Sequence, residues 1–123
     1  MLFLYYHISM ITKGIGIDIV ETERFLPFEK ERENRFLIDN FSKRELDYCF
    51  AFCDSSIHLA GTFSAKEAVW KALSNKNILQ STIEIRRDTN GKPEVWIKNR
   101  RQKSILVSIS HTTKIATAIA IKQ

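Results

Sequence analysis

The chain has 123 residues, 44% hydrophobic and 27% charged, and its 19 Lys and Arg against 14 Asp and Glu give a formal net charge of +5. So short and balanced a chain fits one globular domain and excludes collagen-like, solenoid and disordered classes. The positive balance suits an anionic partner, whether phosphate, nucleic acid, lipid or an acidic protein, without choosing among them. Bases recur at Arg24, Lys30, Arg32, Arg35, Lys43 and Arg44, interleaved with Glu29, Glu31 and Glu45. That interleaving is the pattern of solvated helix faces.

The first segment, "MLFLYYHISMITK", is apolar but too short to span a membrane. It also lacks the basic start and small-residue cleavage site of a signal peptide. Two readings stand open for it: an extra strand, or an extension upstream of a natural start at Met10. Next, "GIGIDIVE" reads as a strand in which Ile15, Ile17 and Ile19 alternate with Gly16, Asp18 and Val20. Asp18 therefore faces away from the isoleucines, beside a glycine with no side chain to crowd a ligand. From Glu21 to Phe41 the pattern is mostly helical, interrupted at Pro27. Ser42 and Glu45 form a capping-box signature, and the helix they open is expected to run through "LDYCFAFC".

Cys49 and Cys53 have the wrong spacing for a redox pair, since CxxC has two residues between its cysteines and this pair has three. Zinc takes about four ligands, and only His58 stands nearby as a third. Two thiols buried on one helix face, in a reducing cytoplasm, is the expectation. "SIHLAGTFSAKEAVWKALSNKN" is the strongest helical segment, with an apolar stripe of Leu59, Phe63, Val69, Trp70 and Leu73. A second stripe of Gly61, Ala65, Ala68 and Ala72 admits close packing, and Glu67 and Lys71 share one side. The remainder is β. "STIEIRRD" and "PEVWIKN" flank the hairpin signal Asn90-Gly91, and "SILVSISH" pairs with "KIATAIAIK" across "TTK". The sum is a single α+β domain in which helices pack on an antiparallel sheet.

An ionised Asp18 within an apolar run requires a partner. A dinucleotide fingerprint fails for want of a third glycine, and no phosphate-binding GxxxxGK[ST] loop occurs. Mg²⁺ is bound through one or two carboxylates plus substrate phosphates and water. Asp18 on a strand and Glu67 on a helix packed over it would suffice. Lys71, one turn beyond Glu67, could then neutralise a phosphate, which is the equipment of phosphoryl transfer. Plainer readings stay open on spacing alone. Glu67 and Lys71 make an ordinary i,i+4 surface pair, Asp18 can cap the next helix, and His111 can be a structural hydrogen-bonder. A metal-dependent nuclease fits less well, because its second acid and lysine usually sit two apart on a strand.

Three segments in order, "GIGIDIVETER", "LAGTFSAKEAVWKAL" and "VSISHTTKIATAIAI", resemble the signature blocks of the holo-acyl-carrier-protein synthases, the small bacterial phosphopantetheinyl transferases. "FSKRELDYC" and "NGKP" resemble that family as well, so the likeness covers residues 14 to 121. It implies a transferase domain over residues 14–123, with residues 1–13 an N-terminal extension. The implied reaction moves phosphopantetheine from coenzyme A to a serine of apo-acyl carrier protein and releases adenosine 3',5'-bisphosphate.

By motif position, the resemblance implies that Asp18 and Glu67 hold Mg²⁺ and that Lys71 contacts the pyrophosphate. Ser110 and His111 would line the nucleotide site, with Asn90, Gly91 and Pro93 near the adenine. Glu67, directly or through a water, is the first choice of base. Arg24, Arg35 and Phe36 would face the acidic carrier protein. The family's cytoplasmic homotrimer, with active sites at subunit interfaces and neither nucleic acid nor membrane as partner, completes the expectation. One departure is Thr62, where the family often carries Arg as a plausible phosphate ligand. A non-catalytic basic module that binds RNA or phosphate, and a degenerate member that binds coenzyme A without transferring it, are the alternatives.

Overall fold

The computed structural model describes residues 11–123. The extra strand and the Met10 start considered for the N-terminus lie outside the described residues. Strand β1 (Gly14–Glu21) leads into a 3-10 segment, Thr22–Phe28, which takes Pro27 within it. Helices α1 (Arg35–Asn40), α2 (Lys43–Phe50) and α3 (Ser55–Leu73) follow. Strands β2 (Ile83–Arg87), β3 (Pro93–Ile97), β4 (Arg100–Arg101), β5 (Ile105–His111) and β6 (Ile115–Lys122) complete the chain. The α+β expectation holds, and every strand pair is antiparallel.

The strands divide into two three-stranded sheets, β1-β6-β5 and β2-β3-β4, rather than one. Lys98 and Asn99, both at positive φ, turn β3 back onto β4. That is the two-residue turn geometry usually signalled by Asn-Gly. Asn90-Gly91 instead sits in a longer loop where only Gly91 has positive φ, and the Asp88 carboxylate accepts from the Asn90 and Lys92 amides.

Helix α3 is the axis of the molecule. On one side Ala65, Ala68, Val69 and Ala72 meet Ile83, Ile85, Val95, Val107 and Ala118 from both sheets. On another, Leu59 and Phe63 join Phe25, Leu37, Phe41 and Leu46. Phe25, fully buried at the centre of that aromatic nest, contributes on the order of 2–3 kcal/mol by burial alone. The small-residue stripe works as expected, and its counterpart is the pair of glycines in β1. A Cβ on Gly16 would lie 1.9 Å from the Ala68 carbonyl oxygen, and one on Gly14 would lie 2.1 Å from that of Ala72. Gly16 therefore admits the helix backbone and does not clear room for a ligand, contrary to the expectation from sequence.

Three further expectations are corrected. Helix α2 stops at Phe50, because the chain must reverse into α3 within four residues, and the Ala51 and Phe52 amides close the tight last turn onto Tyr48 and Cys49. Cys49 is consequently buried and Cys53 exposed, so the two thiols do not share a face. Burial pushes the Cys49 thiol up to about 12, which keeps it protonated and inert. Trp70 lies largely on the surface, its indole N–H donating to the Ile78 carbonyl at 2.8 Å, outside the apolar stripe assigned to it.

A charged pair lies inside the core. Lys66, 1% exposed, donates to Glu45 Oε1 at 2.8 Å and to the Asn40 carbonyl at 2.6 Å, and its ammonium sits over the Phe41 ring. Glu45 Oε1 also accepts from the Ser42 amide, closing the predicted capping box, while Oε2 accepts from the Ile85 amide. Both charges are satisfied on all sides.

Candidate active site

Asp18 lies on the inner face of β1, against α3. Its carbonyl accepts from Ser64 Oγ at 3.0 Å and from Thr117 Oγ1 at 2.7 Å, which tie the strand to both α3 and β6. Lys71 Nζ donates to the Ile17 carbonyl at 2.9 Å and reaches Asp18 Oδ1 at 3.4 Å. Ser64 and Lys71 thus both touch Asp18 from one stripe of α3. Glu67 stands between them, one turn from each, and faces the same space. The i,i+4 surface pair does not form: Lys71 bonds to β1, and Glu67 has no salt-bridge partner among the described residues. Asp18 Oδ2 is buried and has no hydrogen-bond partner among the described residues. A buried carboxylate oxygen left unsatisfied costs stability unless something else binds it.

The remaining candidates form two other groups. Arg24 extends over the Phe63 ring, 5.1 Å from its centroid, and Phe36 packs beside the same ring. Phe63 is one turn before Glu67, so this pair borders the carboxylates. Arg35 is exposed next to Phe36 and pairs with Asp39 at 3.1 Å. Phe36 itself is half-buried and stacked on Phe28, a packing residue with one accessible side.

His111 lies at the end of β5, opposite Ala116, which in turn pairs with Val20 of β1. Two strand spacings, about 10 Å, therefore separate it from β1. Alternation places the Ser110 side chain on the other face of the sheet from His111. Asn90, Gly91 and Pro93 belong to the tip of the β2–β3 hairpin, in the second sheet. A single chain does not gather all the predicted site residues into one pocket.

His58 was absent from the predicted site. Its ring stacks on Phe52 at 3.7 Å, lies 5.8 Å from the His111 ring, and approaches Asp54 at 3.5 Å. Burial holds its imidazole below the ordinary value, against the opposing pull of Asp54. Ser64 and Thr117 were also missed, since nothing in sequence marks a hydroxyl that will meet a strand carbonyl. Thr62 is 2% exposed and turned toward Cys49 Sγ, 3.5 Å away in the core between α2 and α3.

A cavity of about 680 Å³ lies elsewhere, between the 3-10 segment, the start of α3 and the β5–β6 turn. Glu21, Glu23, Glu29 and Asp54 on its walls repel a phosphorylated ligand. The Asp18 cluster, with two acids and a lysine on adjoining elements, is chemically the better fit to phosphate. It gives this α+β domain a carboxylate and a lysine in contact between β1 and α3, with one carboxylate oxygen unpartnered among the described residues.

Comparison with known proteins specifies the class. The family model of the 4'-phosphopantetheinyl transferase superfamily matches residues 14–120. The holo-[acyl-carrier-protein] synthase of Protochlamydia amoebophila is 42% identical over 119 residues, covering 90% of this chain and 98% of its own. That of Caldicellulosiruptor saccharolyticus is likewise 42% identical over 119 residues, with 89% and 95% covered. Among solved structures, the Helicobacter pylori holo-[acyl-carrier-protein] synthase in complex with coenzyme A superposes with a TM-score of 0.73 at 28% identity, covering 89% of this chain and 99% of that one. The Bacillus anthracis synthase, in complex with coenzyme A (3',5'-ADP), gives 0.72 at 28% identity over 90% and 96%. The chain belongs to the 4'-phosphopantetheinyl transferase superfamily, and the resemblance read in its motifs is borne out.

Proposed function

We propose that this protein transfers 4'-phosphopantetheine from coenzyme A to a serine of apo-acyl carrier protein. The observation that carries the reading is the unpartnered, buried Asp18 Oδ2 beside Lys71 and Glu67, in a chain of this superfamily. The acceptor serine oxygen forms a bond to the β-phosphorus of coenzyme A. The bond from that phosphorus to the bridging oxygen breaks, and adenosine 3',5'-bisphosphate leaves with the electron pair. Lys71, half-exposed and already 3.4 Å from Asp18 Oδ1, is the cation nearest a pyrophosphate that would bind over Asp18. Glu67, with no ion-pair partner, is free to take the serine proton.

Mg²⁺ fits the residues present. It needs one or two carboxylates and leaves its other positions to phosphate and water, and Asp18 and Glu67 offer that set. Among the described residues no group of three or more His, Cys, Asp and Glu side chains converges, so a closed protein cage of the zinc type is not what they build. When bound there, Mg²⁺ supplies neutralisation of pyrophosphate charge.

The separation of His111 and the Asn90–Pro93 loop from Asp18 supports a site shared between subunits of a homotrimer. So does the outer face of the β1-β6-β5 sheet. Ile15, Ile17 and Ile19 are each more than 60% exposed there, beside Leu106, Ile115 and Ile119. A continuous apolar face of this kind is an association surface. His111 and Ser110 would line the nucleotide site, with Asn90, Gly91 and Pro93 near the adenine. Arg24, Arg35 and Phe36, grouped at the rim, suit the acidic carrier protein. No described helix is long and apolar enough to cross a membrane, and two free thiols suit the reducing cytoplasm, where we place the protein.

The test is the intact mass of apo-acyl carrier protein after incubation with this protein, coenzyme A and Mg²⁺. A metal-dependent gain of one phosphopantetheine group is expected. No gain, on a carrier shown competent with another transferase, would remove the reading.

A further inference from the structure

We propose that Lys71 is a placeholder for the metal in the free protein: its ammonium supplies the positive charge that Asp18 needs, and metal and coenzyme A bind cooperatively because the pyrophosphate draws that ammonium away. The proposal rests on the transferase reading of the same site. Three features of Lys71 carry it. Its shorter bond, 2.9 Å, goes to the Ile17 carbonyl, while the 3.4 Å contact to Asp18 Oδ1 is longer than a charge-assisted bond ordinarily is. Its side chain is 47% exposed, whereas that of Asp18 is 15% exposed. The lysine can therefore leave at little cost, and the carboxylate cannot follow it. Finally, Asp18 Oδ2 stays unpartnered with Lys71 in place, so the ammonium balances the charge without completing the site.

The contrast with Lys66 on the same helix is instructive. Lys66 is 1% exposed and held by Glu45, the Asn40 carbonyl and the Phe41 ring. It has nowhere to go. Lys71 has one firm partner and one loose one, and faces outward.

A divalent ion arriving at Asp18 meets the repulsion of this ammonium. Pyrophosphate removes the conflict by giving Lys71 a better partner while adding its own oxygens to the ion. By linkage, coenzyme A must then strengthen metal binding and the metal must strengthen coenzyme A binding by the same factor. Part of that factor is owed to Lys71 and disappears with it.

The experiment measures Mn²⁺ binding to the full-length protein, by the electron paramagnetic resonance signal of the free ion, first without coenzyme A and then with it. Without coenzyme A, Lys71→Met should bind Mn²⁺ at least fivefold more tightly than wild type. Lys71→Arg, which keeps the charge, should stay within twofold of wild type. On adding coenzyme A, the affinity gain in wild type should exceed that in Lys71→Met by at least fivefold. Equal or weaker Mn²⁺ binding in Lys71→Met without coenzyme A overturns the placeholder and leaves the metal assignment standing. Tightening in Lys71→Arg as large as in Lys71→Met overturns it too, because the charge would then be irrelevant. If wild type binds no Mn²⁺ even with coenzyme A while still transferring phosphopantetheine, both the metal assignment and the placeholder fail. The transfer reaction itself would survive that result.

Discussion

Helix α3 carries two lysines that each meet a carboxylate from another element, and the two meetings are built differently. Glu45 and Lys66 are enclosed, and their hydrogen-bonding capacity is taken up by Ser42, Ile85, Asn40 and each other. Asp18 lies on an edge strand and meets Lys71 there, with one carboxylate oxygen unpartnered among the described residues and Glu67 one helical turn from Lys71. A finished polar cluster fixes how elements meet. An unfinished one is a place where something else is to bind, because folding alone would not retain an unsatisfied buried oxygen. The pair that looks stronger is therefore the structural one, and the looser pair is the one that the proposed function assigns to chemistry.

Breaking the finished pair should have the largest effect on stability. Lys66→Met leaves the Glu45 carboxylate buried without its cation, which costs about 3–5 kcal/mol. The double variant Glu45→Gln with Lys66→Met removes both charges and should recover a large part of that loss. Urea unfolding of the two variants and wild type checks the order. A Lys66→Met protein within about 1 kcal/mol of wild type would mean that the core pair is not the fastening described here.

The unfinished site should behave in the opposite way. Asp18→Ala and Glu67→Ala should each lower phosphopantetheine transfer by about a hundredfold or more, the scale seen when one preorganised electrostatic group is removed from an active site. Neither should unfold the protein, and Asp18→Ala relieves an unsatisfied buried oxygen as it deletes the contact to Lys71. Transfer rates read by carrier-protein mass, beside thermal melts, separate the two effects. Undiminished transfer in a folded Asp18→Ala protein would sink the assignment of Asp18 to the site.

How much of this was legible in the residues depends on whether the signal was local. The alternation in "GIGIDIVE" placed Asp18 on the inner face, and the Ser42 and Glu45 capping box formed as written. The spacing of Glu67 and Lys71 put them on one side of α3, but it could not say that Lys71 would bond to β1 and leave Glu67 alone. The second role of Glu45, as the counterion of Lys66, was invisible because the partners are 21 residues apart and only the tertiary fold joins them. The Lys98–Asn99 turn was missed because lysine has no preference for positive φ, and pairing of β3 with β4 imposes it there. Gly16 was read as space for a ligand because the close approach of α3 is a property of two elements, and one sequence window contains only one of them.

A half-buried titratable group, His58, tests the same distinction with the smallest expected effect. It stacks on Phe52, near Asp54 on its own helix, with His111 and Arg87 as the neighbouring bases. Burial keeps its folded pKa below the ordinary imidazole value, and His111 and Arg87 add to that, with Asp54 opposing. The unfolded chain then binds a proton more readily than the folded one, so stability is complete above about pH 6.5 and declines as the pH falls below it. Burial raises Glu84 but its hydrogen bonds with Ser42 and Arg86 outweigh that, and Arg32 and Lys43 lower Asp47, so both carboxyls lose their contribution only at more acid pH. The imidazole window is therefore separable from theirs. Urea midpoints at pH 7.5, 6.5 and 5.5 should fall in wild type and fall less in His58→Phe, which keeps the stack on Phe52 without the titrating nitrogen. Equal slopes in the two proteins would show that His58 is solvated enough to hold its proton in the fold, and that its packing against Phe52 imposes no charge penalty.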